Sequence, residues 1–391
     1  RLGIKIEWKG NGLEEVGIIS NMDQNVDTTL KNGDTIIKID KKYFRPTEVN
    51  SLLGNAEKAH KKLNWEPTIS LDQLIDEMID HDLKKAKKIK FLNDHNVWRM
   101  KMKIDTNITS CFVAGHKGMV GSAIVRHLKI KYPLIKIITC EKSKLNLTDQ
   151  NNVNLFLNKK KPDLVIIAAA KVGGILKNST YPAQFLYENI MIQNNIIHGC
   201  YINKISKILF LGSSCIYPKF SNQPIHESEL LKGPLEGTNE AYAISKITGI
   251  KMCHYYNVQY GMKYKSIMPT NLYGQGDNYH PEESHVIPGL IVRFHKAKFN
   301  SEPHIKVWGT GKALREFLYV DDLAEASLLI ALHECPKLDQ YFFKNNSFIN
   351  VGYGKEISIK ELAFKISEIV GYKGTIIFDK KKPEGTPRKI L

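Results

Sequence analysis

The stretch ITSCFVAGHKGMVGSAIVRHL, residues 108–128, decides how the chain is read. Its first half is a strand-length apolar run, and its second half repeats apolar residues at helical spacing. Between the two, Gly115, Gly118 and Gly121 permit a tight turn, a close backbone approach to a pyrophosphate and close packing of helix on strand. The helix start offers N–H groups to the phosphates. A Gly pattern alone is weak, but here it stands in strand-loop-helix context and predicts a dinucleotide-binding loop over 115–121.

Outward from this loop the pattern is regular. Strand-length runs LIKIITC, DLVIIAAA, SKILFLGSS and YKSIMPTN alternate with helical stretches such as NEAYAISKITGIKMCHYYNVQYG. Such alternation predicts βαβ units and a parallel sheet covered on both faces, an α/β fold with a Rossmann-type sheet over 108–280. Beyond it the pattern loosens, and a smaller substrate domain is expected over 281–391. The chain opens at Arg1 without methionine and closes at Leu391 within TPRKIL, so both ends are expected to be incomplete.

The N-terminal part reads as the close of another domain. In LNWEPTISLDQLIDEM, residues 63–78, Leu71, Leu74, Ile75 and Met78 recur at helical spacing behind Glu66-Pro67, with Ser70 placed as helix cap. A basic, polar stretch, 84–105, lacks amphipathic period, and the junction is placed at 93–107. That leaves 1–92 as a partial domain.

Composition sets bounds. The 391 residues exceed one typical core, and 42% hydrophobic with 25% charged is ordinary for a globular protein. No apolar run approaches membrane-spanning length and no signal peptide opens the chain, so a cytoplasmic location and no membrane partner are expected. The formal charge of +16 is spread along the whole chain, which argues against a nucleic-acid partner. Cys111, Cys140, Cys200, Cys215, Cys253 and Cys335 show no metal or redox spacing, and no metal is expected.

Two further signals carry chemistry. Tyr242 and Lys246 in EAYAISKITG stand four apart on one helix face, where an ammonium can favour the ionised phenol and suit it to acid-base work. The segment GSSCIYP, 212–218, ends the fourth strand, so Ser213, Ser214 and Cys215 should face the ligand crevice. A serine there can donate to a ketone oxygen. A thiol beside a substrate can carry a proton, whereas a buried one is only a small apolar group. Lacking further context, the Tyr-Lys pair also reads as a solvated surface pair.

Taken together, AGHKGMVGSAI, AAAKVGGI, LFLGSSCIYP, EAYAISKI, MPTNLYG, SHVIPGLI, and VWGTG followed by REFLYVDD resemble the GDP-L-fucose synthase family, extended short-chain dehydrogenases, over about 108–391. The stretches LGIKIEWKGNGLEEVGI and DKKYFRPTEVNSLLGNAEKAHKKLNWEP resemble the C-terminal part of GDP-mannose 4,6-dehydratase over about 1–92. That piece lacks the dehydratase's cofactor loop, so no dehydratase activity is expected from it.

The resemblance implies an NADPH-dependent conversion of GDP-4-keto-6-deoxy-D-mannose to GDP-L-fucose by epimerisation at C3 and C5 and reduction at C4. It implies Cys215 and His285 as proton carriers and Ser213, Tyr242 and Lys246 as the reductive set. The cofactor would be held by Gly115, His116, Lys117, Gly118, Met119, Val120, Gly121, Lys142, Leu211, Gly212, Ser213, Ser214, Lys246, Pro269, Thr270, Asn271, Leu272 and His285. Arg293, Trp308 and Arg315 would hold the GDP-sugar, in a homodimer. Glu141 departs from this pattern, since an acidic group there accepts a ribose 2′-hydroxyl and repels a 2′-phosphate. The alternatives are another NAD(P)-dependent nucleotide-sugar epimerase or dehydratase, or a nucleotide binder without turnover.

Overall fold

The computed structural model describes residues 3–23, 30–41, 61–62, 70, 72–80, 82–83, 103–280, 284–344, 347–382 and 385–391. The chain divides into two compact units, Arg1–Met100 and Lys101–Leu391. In the first, β1 (Ile4–Lys9), β2 (Val16–Met22) and β3 (Thr35–Lys38) form an antiparallel sheet in that order, with Gly17 and Ile19 buried. A helix over 72–80 has the cap expected from sequence. The Gln73 N–H donates to Ser70 Oγ at 3.2 Å and the Ser70 N–H donates to Gln73 Oε1 at 2.8 Å, a reciprocal capping box. Leu74 and Met78 remain exposed on it, while Leu71 and Glu66-Pro67 lie outside the described residues.

The second unit is built on a six-stranded, all-parallel sheet in the order β14-β9-β8-β7-β5-β6. Its strands are β5 (Ser110–Ala114), β6 (Lys136–Ile138), β7 (Leu164–Ile167), β8 (Lys207–Leu211), β9 (Lys263–Pro269) and β14 (Phe348–Val351). The central strands are apolar at nearly every position because both faces are covered. Their alternation divides the core in two. Phe112, Val165, Ile167, Ile208 and Phe210 face Leu157 of α2 (Gln150–Lys160), Ile196 of α4 (Pro182–Ile202) and Ile250 of α5 (Glu240–Tyr260). Cys111, Val113, Ile166 and Leu209 face Ile124 and Leu128 of α1 (Met119–Lys131) and Leu323 and Leu328 of α7 (Val320–Leu332). A short α3 (Ile175–Thr180) precedes α4.

Two features differ from the sequence expectation. The sixth strand, β14, and the covering helix α7 come from beyond 108–280, the stretch expected to form the sheet. Each needs a long return of the chain, which local pattern does not show. Residues 103–107, expected in the junction, pack with the second unit: β4 (Lys103–Ile104) pairs with β13 (His333–Glu334), and buried Asp105 forms an ion pair with Lys207.

A smaller lobe packs Leu290 and Phe294 of α6 (Val286–Phe299) against Ile305 and Val307 of β11 (His304–Trp308) and Leu362 and Ile366 of α9 (Ile359–Val370). Strand β11 pairs with β16 (Thr375–Asp379), while β12 (Leu314–Tyr319) gathers β10 (Asn271–Tyr273), β15 (Glu356–Ser358) and β17 (Arg388–Lys389). Helix α8 (Pro336–Lys344) leads into β14. Among the described residues, no helix is long and apolar enough to cross a membrane.

The glycine loop depends on missing side chains. Gly115 has φ +85°, and a Cβ there would lie 2.6 Å from the Ala169 nitrogen; a Cβ on Gly121 would collide with the Gly115 carbonyl oxygen. Gly121→Ala should therefore cost about 1–3 kcal/mol by overpacking, read as a lower urea midpoint. Gly237→Ala, where nothing lies within 4 Å, is the control expected to leave it unchanged.

Candidate active site

A parallel sheet sends the carboxyl ends of its strands to one edge, and the strand order reverses between β5 and β7. At that point opens a cleft of about 1230 Å³. Its floor is Gly115–Gly121, where the Gly118 N–H donates to the Gly115 carbonyl at 3.0 Å and α1 begins. Leu211–Ser214 after β8 and Pro269–Leu272 after β9 form one side, and Ala168–Gly173 after β7 forms another. All of the cofactor positions named from sequence line this one cleft. The Gly loop, the helix start and the crowded Gly115 backbone fit a dinucleotide pyrophosphate.

Across from the loop, α5 brings Tyr242 and Lys246 to the cleft. The Lys246 side chain is buried, and its Nζ donates to the Leu211 carbonyl at 2.8 Å and stands 5.8 Å from the centre of the Tyr242 ring. Among the described residues, no carboxylate pairs with this ammonium. Burial lowers Lys246 to about 8, opposed by Cys215. The phenol behaves differently from the sequence expectation. Burial, with Cys215 adding to it, pushes Tyr242 up. Desolvation disfavours the phenolate, so the group stands as a neutral proton donor.

Ser213 and Cys215 meet directly. The Cys215 thiol donates to Ser213 Oγ at 3.0 Å, and the Cys215 N–H donates to the same oxygen at 3.4 Å. The segment is fixed from behind, since Tyr217 Oη donates to Asn350 Oδ1 of β14 at 2.5 Å. His285 occupies the N-cap position of α6 without a side-chain capping bond, is exposed, and lines the cleft. The surrounding walls lower its pKa by desolvation, Asp277 opposes that, and Lys389 adds to it.

Asp277 and Lys389 were not singled out in the sequence. Asp277 lines the cleft, its Oδ2 is buried without a hydrogen-bond partner, and burial raises its pKa. Its signal was position, eight residues before His285 in a polar loop. Lys389 lies opposite Arg315 in the β12–β17 pairing, within electrostatic reach of Cys215 and His285. Nothing local in TPRKIL announces that placement.

The three proposed substrate holders lie on the small lobe and are not among the residues lining the main cleft. Arg293 Nη1 donates to the Lys306 carbonyl at 3.0 Å, tying α6 to β11. Trp308 ends β11, with Lys382 Nζ 5.5 Å from its ring centre. Arg315 Nη1 donates to the Leu314 carbonyl at 2.8 Å.

Known proteins resemble both units. The NAD dependent epimerase/dehydratase family matches residues 111–341, and the GDP-mannose 4,6 dehydratase family matches residues 1–78. The GDP-L-fucose synthase of Escherichia coli K12 is 52% identical over 284 residues, 72% of this chain and 87% of that protein. GDP-L-fucose synthase 1 of Arabidopsis thaliana is 52% identical over 280 residues, covering 72% of this chain and 84% of its own length. Among solved structures, a GDP-L-fucose synthetase from Naegleria fowleri bound to NADP superposes with a TM-score of 0.64 at 28% identity, over 74% of this chain and 87% of that one.

Lys246 generates a prediction with a definite sign. Its folded pKa of about 8 lies below the unfolded value of 10.5, so its burial penalty is full below pH 8 and fades as pH rises toward 10.5. Lys246→Met should bind NADPH more weakly, yet at pH 7 it should unfold about 1–3 kcal/mol less readily, allowing for the unpaired Leu211 carbonyl. Urea titrations at pH 7 and pH 10 should show the gain shrinking with pH. A variant less stable at pH 7 would refute the account of Lys246.

Proposed function

As a member of the NAD dependent epimerase/dehydratase family, on its GDP-L-fucose synthase branch, the chain, we propose, converts GDP-4-keto-6-deoxy-D-mannose to GDP-L-fucose with NADPH. The observation that carries the proposal is the contact of Cys215 with Ser213 in a segment that also borders the half-buried Tyr242 and the buried Lys246. A thiol set into a ketone-reducing constellation gives one substrate oxygen two uses.

The first stage moves protons only. Hydrogens on C3 and C5 are acidic because the charge left by their removal delocalises onto the C4 oxygen. As a thiolate, its proton given up to solvent, Cys215 takes the proton at each centre and His285 gives one to the opposite face, inverting it. Before the second inversion Cys215 releases the proton it took to solvent and His285 regains one. The Asp277 carboxylate lies within electrostatic reach of His285 and favours its proton-bearing form. Ser213 and Tyr242 donate hydrogen bonds to the C4 oxygen while it carries the enolate charge.

The second stage is the reduction. NADPH, when bound, supplies the hydride that adds to C4. Tyr242 gives its proton to the same oxygen as the carbonyl becomes an alcohol, and the Lys246 ammonium offsets the phenolate left behind. That phenolate regains its proton from solvent. The raised phenol pKa supports this direction of transfer, because a neutral donor is present across the physiological range. Lys389 and Arg315 add positive charge near the diphosphate, and Arg293 and Trp308 complete the proposed sugar-nucleotide wall. The working form proposed is a homodimer in the cytoplasm, in keeping with six free thiols.

The test is to incubate the chain with GDP-4-keto-6-deoxy-D-mannose and NADPH in deuterated water, following nicotinamide absorbance and identifying the sugar nucleotide. GDP-L-fucose should form with equimolar NADPH loss and deuterium at C3 and C5. Tyr242→Phe should slow reduction by about 10²-fold or more while exchange continues. Cys215→Ala should stop exchange while NADPH binding persists. Reduction without exchange in the parent chain would replace this reading with a simple ketoreductase.

A further inference from the structure

Cys215 stands on slight support. It lies in a single turn of 3₁₀ helix, Ser214–Ile216, that follows the carboxyl end of β8 and joins no ladder of the sheet. One such turn has little stability of its own, so the position of the thiol depends on what holds the chain beyond it.

That hold is a polar network centred on one residue of the sheet edge. Tyr217, buried two positions after the thiol, donates its hydroxyl to Asn350 Oδ1 at 2.5 Å. Asn350 belongs to β14, the outermost strand of the six, whose outer side has no strand to pair with. Its N–H there donates to Glu227 Oε1 at 2.8 Å, and its Nδ2 donates to the Ile225 carbonyl at 2.8 Å. The Tyr341 hydroxyl on α8 also donates to the Glu227 carboxylate. Asn350 thus fastens Tyr217, Ile225 and Glu227, three points of one segment, to the sheet. No side chain of this network leaves a buried polar atom unpaired, and a fully satisfied network of this kind is rigid.

The reductive groups do not share this anchor. Tyr242 and Lys246 are carried by the 21-residue helix α5, and Ser213 directly follows the end of β8. Loosening Tyr217 should therefore displace Cys215 before it displaces the phenol or the ammonium. Proton transfer from carbon is sensitive to such a shift, since a misplacement of about 1 Å can cost about 10²-fold in rate. We propose that Asn350 and Tyr217 are positioning residues for Cys215, and that they set how completely proton exchange at C3 and C5 precedes reduction at C4. The proposal rests on the reading of Cys215 as the proton acceptor of the first stage.

The experiment compares the parent chain with Tyr217→Phe, Asn350→Leu and the double variant, each given GDP-4-keto-6-deoxy-D-mannose in deuterated water. Exchange is read with NADP in place of NADPH, so that no hydride is available. Reduction is then read with NADPH, and the reduced sugar nucleotide is scored for deuterium at each carbon. Tyr217→Phe should slow exchange by about 10–10²-fold with little change in the Kd for NADPH, and reduced product should appear that lacks deuterium at one or both carbons. Because Asn350 acts through Tyr217, the double variant should lose no more exchange than Asn350→Leu alone. Should Asn350→Leu fail to fold, Tyr217→Phe decides, since it removes one hydroxyl and keeps the buried ring. Equal losses of exchange and reduction would make the network an ordinary fold anchor and overturn the proposal, as would a fully deuterated product from both single variants. A parent chain that reduces without exchange would overturn the reading of Cys215 itself, and this proposal with it.

Discussion

The second unit depends on one close approach. Where the strand order reverses between β5 and β7, the Gly115 backbone lies so near Ala168 and Ala169 that no side chain fits. Because Gly121 cannot carry a Cβ either, the first turn of α1 settles directly on the loop. These two exclusions leave an open crevice at the sheet edge with a helix start aimed into it. Several other participants arrive by the same logic. Glu141 follows β6, Ser213 follows β8 and Thr270 follows β9, each at a carboxyl end on the same edge.

Against that frame stands an uncompensated charge. A buried ammonium with a carbonyl as its hydrogen-bond acceptor, rather than a carboxylate, lowers stability at neutral pH. Lys246 keeps its proton there only because its pKa stops falling near 8. The arrangement suits the proposed reaction, in which negative charge would arise transiently on a phenol and on a substrate oxygen. A resident carboxylate beside Lys246 would cancel the field before the reaction needed it.

Much of this was legible in the sequence, because the relevant information is local. The glycine loop, the Tyr242–Lys246 spacing and the Ser70 cap each involve residues within a few positions of one another, and the structure builds them as read. Long-range placement was not legible. Nothing in SFINV announces that Phe348–Val351 completes a sheet begun at Ser110, and nothing in TPRKIL sets Lys389 opposite Arg315. The phenol's charge state failed for a related reason. Helix spacing gives the distance of an ammonium from a phenol, but desolvation depends on every element around the pair, and here it prevails.

That dependence on distant elements extends to the small lobe. Fully buried Glu316 on β12 accepts the Gly354 N–H at 2.6 Å and the Leu391 N–H at 2.9 Å, while its own carbonyl accepts Asn271 Nδ2 at 2.9 Å and Thr270 Oγ1 at 3.2 Å. A single residue thus joins the β17 segment to the side of the cleft that follows β9. The same segment is held by Gln223, whose Nε2 donates to the Arg388 carbonyl at 3.1 Å and whose Oε1 accepts the Ile390 N–H at 2.9 Å. Lys389 lies between these anchors, which fix its backbone, and it stands within electrostatic reach of Cys215 and His285. The lobe therefore does more than cover the sheet edge. Through β17 it brings a lysine near Cys215 and His285, the two proposed proton carriers, and through Glu316 it ties that segment to the wall carrying Thr270 and Asn271.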